Sequence, residues 1–223
     1  MIKLFGRILI MQVLKIDGDY LANTYIIEDN GQYLIVDTSH SINAINEVLR
    51  NKKLQILTQD TLRSTMHSST SFSVFITHAH FDHIYYIEEW ARAGVKIFMS
   101  KKAFYNMQNA KLNASFLHSS REFKIDMDSA VFVEDGENIK VGNVEFQVLK
   151  TAGHTDCSLS LLGNGMLFCG DLMFAEGYVG RTDLPTGDSA ELKRSLFKID
   201  RLSKPLKVYA GHGEPFEIKL KII

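Results

Sequence analysis

The sequence predicts one layered α/β domain in which strands dominate and helices are interspersed. Three observations carry that reading. Short apolar runs recur between clusters of Gly, Asn and Asp. Three other segments place their apolar residues at helical spacing instead. The 223 residues, 45% of them hydrophobic, can bury one sizeable core.

Taken in order, residues 1–16 combine Lys3 and Arg7 with Ile8-Leu9-Ile10-Met11. Gln12 and Lys15 interrupt that stretch and no small-residue cleavage site follows, so a first strand is expected rather than a secretory leader. Tyr25–Ile27 and Tyr33–Val36 flank Asp29-Asn30-Gly31-Gln32, whose Asn-Gly pair signals a tight hairpin. Ile42, Ile45, Val48 and Leu49 mark an amphipathic helix that Ser41 can cap. The polar stretch 54–72 reads as an inserted loop, long enough to serve as a lid. A strand over 73–77 follows, then a helix through Ile84, Ile87 and Trp90-Ala91 that ends near Gly94. Val95–Met99 is extended, and 100–130 is mixed and mostly polar. Strands are expected at Val131–Val133, Val144–Leu149, Leu159–Leu162 and Met166–Cys169, separated by Gly-containing turns. Asp188 with Glu191 matches a capping box, opening a helix with Leu192, Leu196 and Ile199 on one face. Leu206–Ala210 is the last expected strand.

Seven residues carry the chemistry. His78, His80, Asp82 and His83 lie in the run T-H-A-H-F-D-H at 77–83, and His154 lies in T-A-G-H-T. Asp171 closes C-G-D, and His212 lies in A-G-H-G. Each stands just past an apolar, β-rich run, where a rigid strand fixes the loop that follows. The dense H-x-H-x-D-H fits neither a helical nor a strand period, which argues against a solvated face. Imidazole and carboxylate suit zinc, iron or manganese. Seven donors exceed one tetrahedral shell and suit two divalent ions that share a carboxylate. His40, His67 and His118 lack such context and read as ordinary histidines.

Composition narrows the classes further. A net charge of −1 does not mark a nucleic-acid binder, and a small-molecule substrate is expected. Two cysteines are too few for a disulfide framework, and no apolar run has the length of a membrane span. A cytoplasmic location is the expectation. Oligomeric state leaves no mark in the sequence.

The motifs T-H-A-H-F-D-H, T-A-G-H-T, G-D and G-H-G, in this order, resemble the metallo-β-lactamase superfamily. That resemblance implies an αββα sandwich, two mixed sheets packed face to face with helices on both outer faces. It also implies one ion held by His78, His80 and His154, a second by Asp82, His83 and His212, and Asp171 as the bridge. The stretch G-R-T-D-L-P-T-G-D at 180–188 is similar to the short glyoxalase II-like branch, the relatives of hydroxyacylglutathione hydrolase. The implied reaction is hydrolysis of acyl thioesters by a hydroxide between two ions, with Asp82 and Asp171 catalytic. Asp37 resembles a position that supports the metal loop, and a polar strand end in a turn is an equal reading. Arg181 and Tyr178 are candidate substrate contacts, although Arg181 is expected to pair with Asp183 or Asp188. The sequence ends eleven residues after His212, without the helical domain of hydroxyacylglutathione hydrolases, so weak recognition of glutathione is expected. Ala152 stands where relatives carry Pro.

Other activities stay open at this point. An iron-dependent persulfide dioxygenase would need only two histidines and a carboxylate, here His78, His154 and Asp171. Lactonases share the donor set, and fold alone does not choose between them. A non-catalytic metal-binding descendant would be expected to have lost a donor, and none is lost.

Overall fold

The computed structural model describes residues 11–18, 21–58, 71–202 and 205–218. The first sheet contains β1 (Gln12–Ile16), β2 (Thr24–Asp29), β3 (Gln32–Val36), β4 (Ser71–Phe75), β5 (Lys96–Met99) and β6 (Ala130–Phe132), paired in that order. The second contains β7 (Asn138–Val141), β8 (Val144–Lys150), β9 (Leu159–Gly163), β10 (Met166–Gly170), β11 (Leu206–Ala210) and β12 (Phe216–Ile218). Both sheets are mixed: β3, β4, β5 and β6 run parallel, as do β10 and β11, and the other neighbours are antiparallel.

Strand alternation sorts the side chains into three apolar layers. Leu34, Val36 and Phe75 face inward against Phe146, Val148, Leu161 and Phe168 of the second sheet. Their sequence neighbours Ile35, Val74 and Ile76 face outward. There they pack against Ile45 and Leu49 of α1 (Ile42–Asn51), Trp90 of α2 (Ile87–Arg92) and Phe104 of α3 (Lys101–Asn106). On the opposite outer face, Leu167 and Val208 meet Leu192 and Ile199 of α4 (Ser189–Asp200). This is the αββα sandwich that the family resemblance implies.

Several local signals act as expected. Asn30 and Gly31 both take positive φ, 52° and 79°, closing the hairpin between β2 and β3. The Ser41 hydroxyl accepts from Ala44 N and caps α1. Asp188 caps α4 by accepting from Ala190 N and Glu191 N, but the capping box is only half formed. Glu191 turns to Arg194, while Asp188 N donates to the Gly153 carbonyl at 2.8 Å.

Other elements differ from the sequence reading. The strand before the histidine run covers Ser71–Phe75 rather than 73–77, because the Thr77 amide is claimed by a side chain. Ser71 and Phe72 therefore belong to β4 and not to the inserted loop; residues 59–70 of that loop, His67 among them, lie outside the described residues. Residues 1–10 of the expected first strand also lie outside them, and β1 occupies Gln12–Ile16. α2 starts at Ile87, not Ile84, because Thr38 pins the preceding backbone: Thr38 N donates to His83 O, and Tyr86 N donates to Thr38 O. The polar region 100–130 hides α3, capped by Ser100. The short strands β7 and β12 were not foreseen. Among the described residues no helix is long and apolar enough to cross a membrane.

Candidate metal centre

The strands that bear the site all point their C-terminal ends the same way within each sheet. β3 and β4 run parallel and lead into Asp37 and the 77–83 loop. β8, β10 and β11 share one direction and lead toward His154, Asp171 and His212. The two sets of loops meet at one edge of the sandwich, and all seven expected donors come together there. Three groups, His78 with His80 and His154, His78 with His83 and Asp171, and Asp82 with His83 and His212, each have donor atoms within 4.8 Å of one another.

Asp171 stands between the groups. Its Oδ1 is 3.3 Å from His83 Nε2, and its Oδ2 is 3.5 Å from His154 Nε2 and 3.6 Å from His212 Nε2. Asp82 Oδ2 accepts from His212 Nε2 at 3.1 Å, and His80 Nδ1 is 2.9 Å from His154 Nε2. The site is deep on one side and open on the other: His78, His80, His83 and His154 are buried, while the His212 side chain is 41% exposed.

Partners behind the rings fix which nitrogen faces the cluster. His154 Nδ1 donates to the Arg181 carbonyl at 2.7 Å, which leaves its Nε2 lone pair pointing inward. His83 Nδ1 donates to Asp37 Oδ2 at 2.7 Å, which turns its Nε2 toward the cluster. Thr77 Oγ1 donates to Asp37 Oδ2 at 2.8 Å and so can accept from His78 Nδ1 at 3.1 Å. Asp37 also accepts from Thr77 N at 2.8 Å, and one buried carboxylate thus organises the whole loop after β4.

Charge follows from burial and crowding. Burial, together with the neighbouring His83, His80 and His154, pushes His78 well below the usual histidine pKa. His80 falls to about 3, again by burial first and then by His154. For His83 burial opposes the charge, but Asp37, Asp171 and Asp82 outweigh it and the pKa lies well above the ordinary value. Burial likewise opposes the charges of Asp171 and Asp82, yet His83 beside both holds their carboxyls low.

These features suit a metal. Nε2 of His78 and of His80 are buried without a hydrogen-bond partner, and the buried His83 Nε2 and Asp171 Oδ1 reach only a long 3.3 Å contact with each other. Each such atom costs about 1–3 kcal/mol if left unsatisfied, and cations among them would remove that cost. Space is kept for them by a glycine: a Cβ at Gly211 would fall 2.2 Å from Asp171 Oδ1 and 2.5 Å from His83 Cε1. Neither cysteine takes part. Cys169 is buried with its Sγ on the Gly170 and Met173 carbonyls, and Cys157 is buried beside Thr155.

The two candidate substrate residues differ. Arg181 forms a bidentate pair with Asp183, 2.7 Å at each contact, as expected of its side chain. Tyr178 is 66% exposed and lines a groove of about 520 Å³ together with Phe174, Glu176 and His212. Of the remaining histidines, His40 bridges Thr24 and the Asp17 carbonyl, and His118 packs on Phe81.

One functional residue escaped the sequence reading altogether. The buried Asn23 donates from Nδ2 to the carbonyls of Ala210 and Gly213, at 3.2 and 2.9 Å, and from its amide to Gly211 O at 2.7 Å. The Tyr25 hydroxyl adds a 2.7 Å bond to Ala210 O. Together they hold the turn that carries His212. No motif or spacing around Asn23 signals this.

Several known proteins are similar to this chain. A probable metallo-hydrolase of Methanocaldococcus jannaschii is 30% identical over 210 residues, 91% of this chain and 93% of its own. Hydroxyacylglutathione hydrolase of Francisella tularensis subsp. novicida is 34% identical over 185 residues, 82% of this chain but only 62% of the relative. In fold, the BLEG-1 B3 metallo-beta-lactamase crystal structure matches with a TM-score of 0.75 at 24% identity, covering 92% of this chain and 94% of the other. The family model of the metallo-beta-lactamase superfamily matches residues 73–212, the span from the strand before the first histidine to the last donor. On the sandwich, the donor cluster at its edge and these matches together, the chain belongs to the metallo-β-lactamase superfamily.

Proposed function

We propose that this protein is a dinuclear metallohydrolase that cleaves acyl thioesters of small molecules. The observation that carries the reading is the place of Asp171, within 3.6 Å of His83, His154 and His212 at once. A carboxylate so placed can serve two ions, one among His78, His80 and His154 and the other among Asp82, His83 and His212. The thioester preference is supported by the 34% identity to hydroxyacylglutathione hydrolase and by the G-R-T-D-L-P-T-G-D stretch. Zinc is the first candidate for both positions, with iron or manganese compatible with the same donors.

When bound, two such ions supply a nucleophile from water at neutral pH and polarise the substrate carbonyl. The chain's own residues do the rest. Asp37, Thr77 and the Arg181 carbonyl hold the Nδ1 protons of His83, His78 and His154, so that the opposite nitrogens stay free as ligands. Asp82, its side chain 17% exposed at the mouth, can accept a hydrogen bond from the attacking water and orient it. The burial of His78, His80 and His83 keeps bulk water from the deep side of the cluster. A thiolate departs readily because its conjugate acid is comparatively strong.

The test joins metal content to reaction type. Purified protein should carry two transition-metal ions per chain, and the zinc form should release thiol from a small acyl thioester without consuming oxygen. Asp171→Ala should lower metal content and activity together. Oxygen uptake with glutathione persulfide, and no thioester turnover, would instead assign an iron-dependent persulfide dioxygenase.

A further inference from the structure

We infer that the groove beside His212 receives the uncharged, apolar acyl group of the substrate; this rests on the thioesterase reading and names its substrate class. The groove begins at the metal centre. Directly after Asp171, residues 173–179 fold back on themselves through a bridge between Met173 and Val179 and a 2.8 Å bond from Phe174 N to Tyr178 O. The resulting loop stands against His212, with the Phe174 and His212 ring centroids 6.2 Å apart. It exposes two large apolar side chains in succession, Tyr178 at 66% and Val179 at 45%. Apolar surface of this kind, held open beside a catalytic cluster, marks a place where a ligand is covered. His212 belongs to both groove and donor cluster. The occupant must therefore be bonded to the reacting carbonyl carbon, as the acyl chain and the thiol half of a thioester both are.

Charge decides its chemistry. Glu176 lines the groove. The cation nearest in sequence, Arg181, is neutralised by its two contacts with Asp183. Beside the His212 imidazole the wall thus offers apolar side chains, one carboxylate and no free guanidinium, so of the two halves it suits an apolar acyl chain over a carboxylate-rich thiol such as glutathione.

The experiment uses zinc-loaded protein and carba-analogues of N-acetylcysteamine thioesters, in which a methylene replaces the sulfur, with acetyl, butanoyl, hexanoyl and octanoyl groups. Calorimetric affinity should rise with chain length by about twofold per methylene, below the roughly fourfold that complete burial allows. Tyr178→Ser, an exposed position that leaves the core intact, should flatten the series. Glu176→Lys should keep the length dependence and tighten binding of the matching glutathione carba-analogue. Affinity independent of chain length in the unaltered protein would overturn the inference. So would a glutathione analogue bound tenfold more tightly than its neutral counterpart. Turnover of the true thioesters is read separately. Length-dependent binding without released thiol would remove the thioesterase reading and leave the groove, whereas thiol release without length dependence would do the reverse.

Discussion

Asp37→Asn tests whether one carboxylate behind the cluster organises it. Three donors converge on Asp37, namely Thr77 N and Thr77 Oγ1 at 2.8 Å each and His83 Nδ1 at 2.7 Å. Asp37 also adopts a φ of 63°, which asparagine tolerates as well as aspartate does, so the substitution spares the backbone. Asparagine keeps one acceptor oxygen and replaces the other with an NH2 group. If that group faces His83 Nδ1 and the Thr77 hydroxyl, two hydrogen bonds to a buried charge disappear, at about 1.5–3 kcal/mol each. The metal-free protein should therefore lose roughly 3–6 kcal/mol, close to the cost of about 3–5 kcal/mol for breaking a buried pair. The His83 ring, without its Nδ1 acceptor, no longer presents Nε2 in a fixed direction, and zinc affinity should fall about ten- to hundredfold. Urea unfolding of the metal-free protein at neutral pH gives the first quantity, and competition with a chelating indicator gives the second. A stability change below about 1 kcal/mol with zinc affinity altered less than about twofold would refute the organising role.

Three further outcomes follow from the same geometry. Asn23→Ala removes both side-chain bonds to the turn carrying His212, so it should cost about 1–3 kcal/mol and lower bound metal from two ions toward one; elemental analysis showing two retained ions at unchanged stability would contradict it. Gly211→Ala places a methyl 2.2 Å from Asp171 Oδ1, so metal affinity should drop at least about tenfold while circular dichroism stays that of the folded chain. Burial pushes the Cys169 thiol up to about 12, so the folded state keeps a proton that the unfolded state loses above about pH 8.5. Stability should then decline from that pH toward 12, and Cys169→Ala should make the decline shallower in urea melts between pH 7 and 10; an identical slope would show the thiol is not the source.

What the sequence makes legible is what local chemistry decides. The hairpin at Asp29–Gln32 requires positive φ at two positions, and Asn30-Gly31 is the pair that allows it. The 77–83 donors are legible because four of them fall within six residues. Elements stabilised from elsewhere are not. β12 is three residues long and exists through its pairing with β11, Val208 opposite Phe216. β7 depends likewise on β8. In α3 the buried Ala103 and Phe104 sit among Lys101, Lys102 and Asn106, so no apolar stripe announces the helix.

The groups behind the donors mark the sharper limit. Asp37 lies 40 residues from Thr77 and 46 from His83, and although the resemblance implies that it supports the metal loop, only the folded chain names its partners; Asn23, 187 residues from Ala210, carries no signal at all. Arg181 shows why identity can mislead even at a correctly chosen position. The sequence draws attention to its guanidinium, which in the structure binds Asp183 at the surface. Its carbonyl oxygen is the atom that fixes the proton on His154 Nδ1 and turns Nε2 toward Asp171. Every residue type carries such a carbonyl, so the identity of residue 181 says nothing about this role. It is set by the path of the 180–188 loop, which Asp188 N ties to Gly153 beside the same histidine. Gly180 adds a close approach that a side chain would block, since a Cβ there would meet the Asp171 carbonyl at 2.0 Å and the His154 ring at 3.0 Å. The stretch that most narrowed the family resemblance thus acts here mainly through its backbone, pressing His154 and Asp171 into one arrangement.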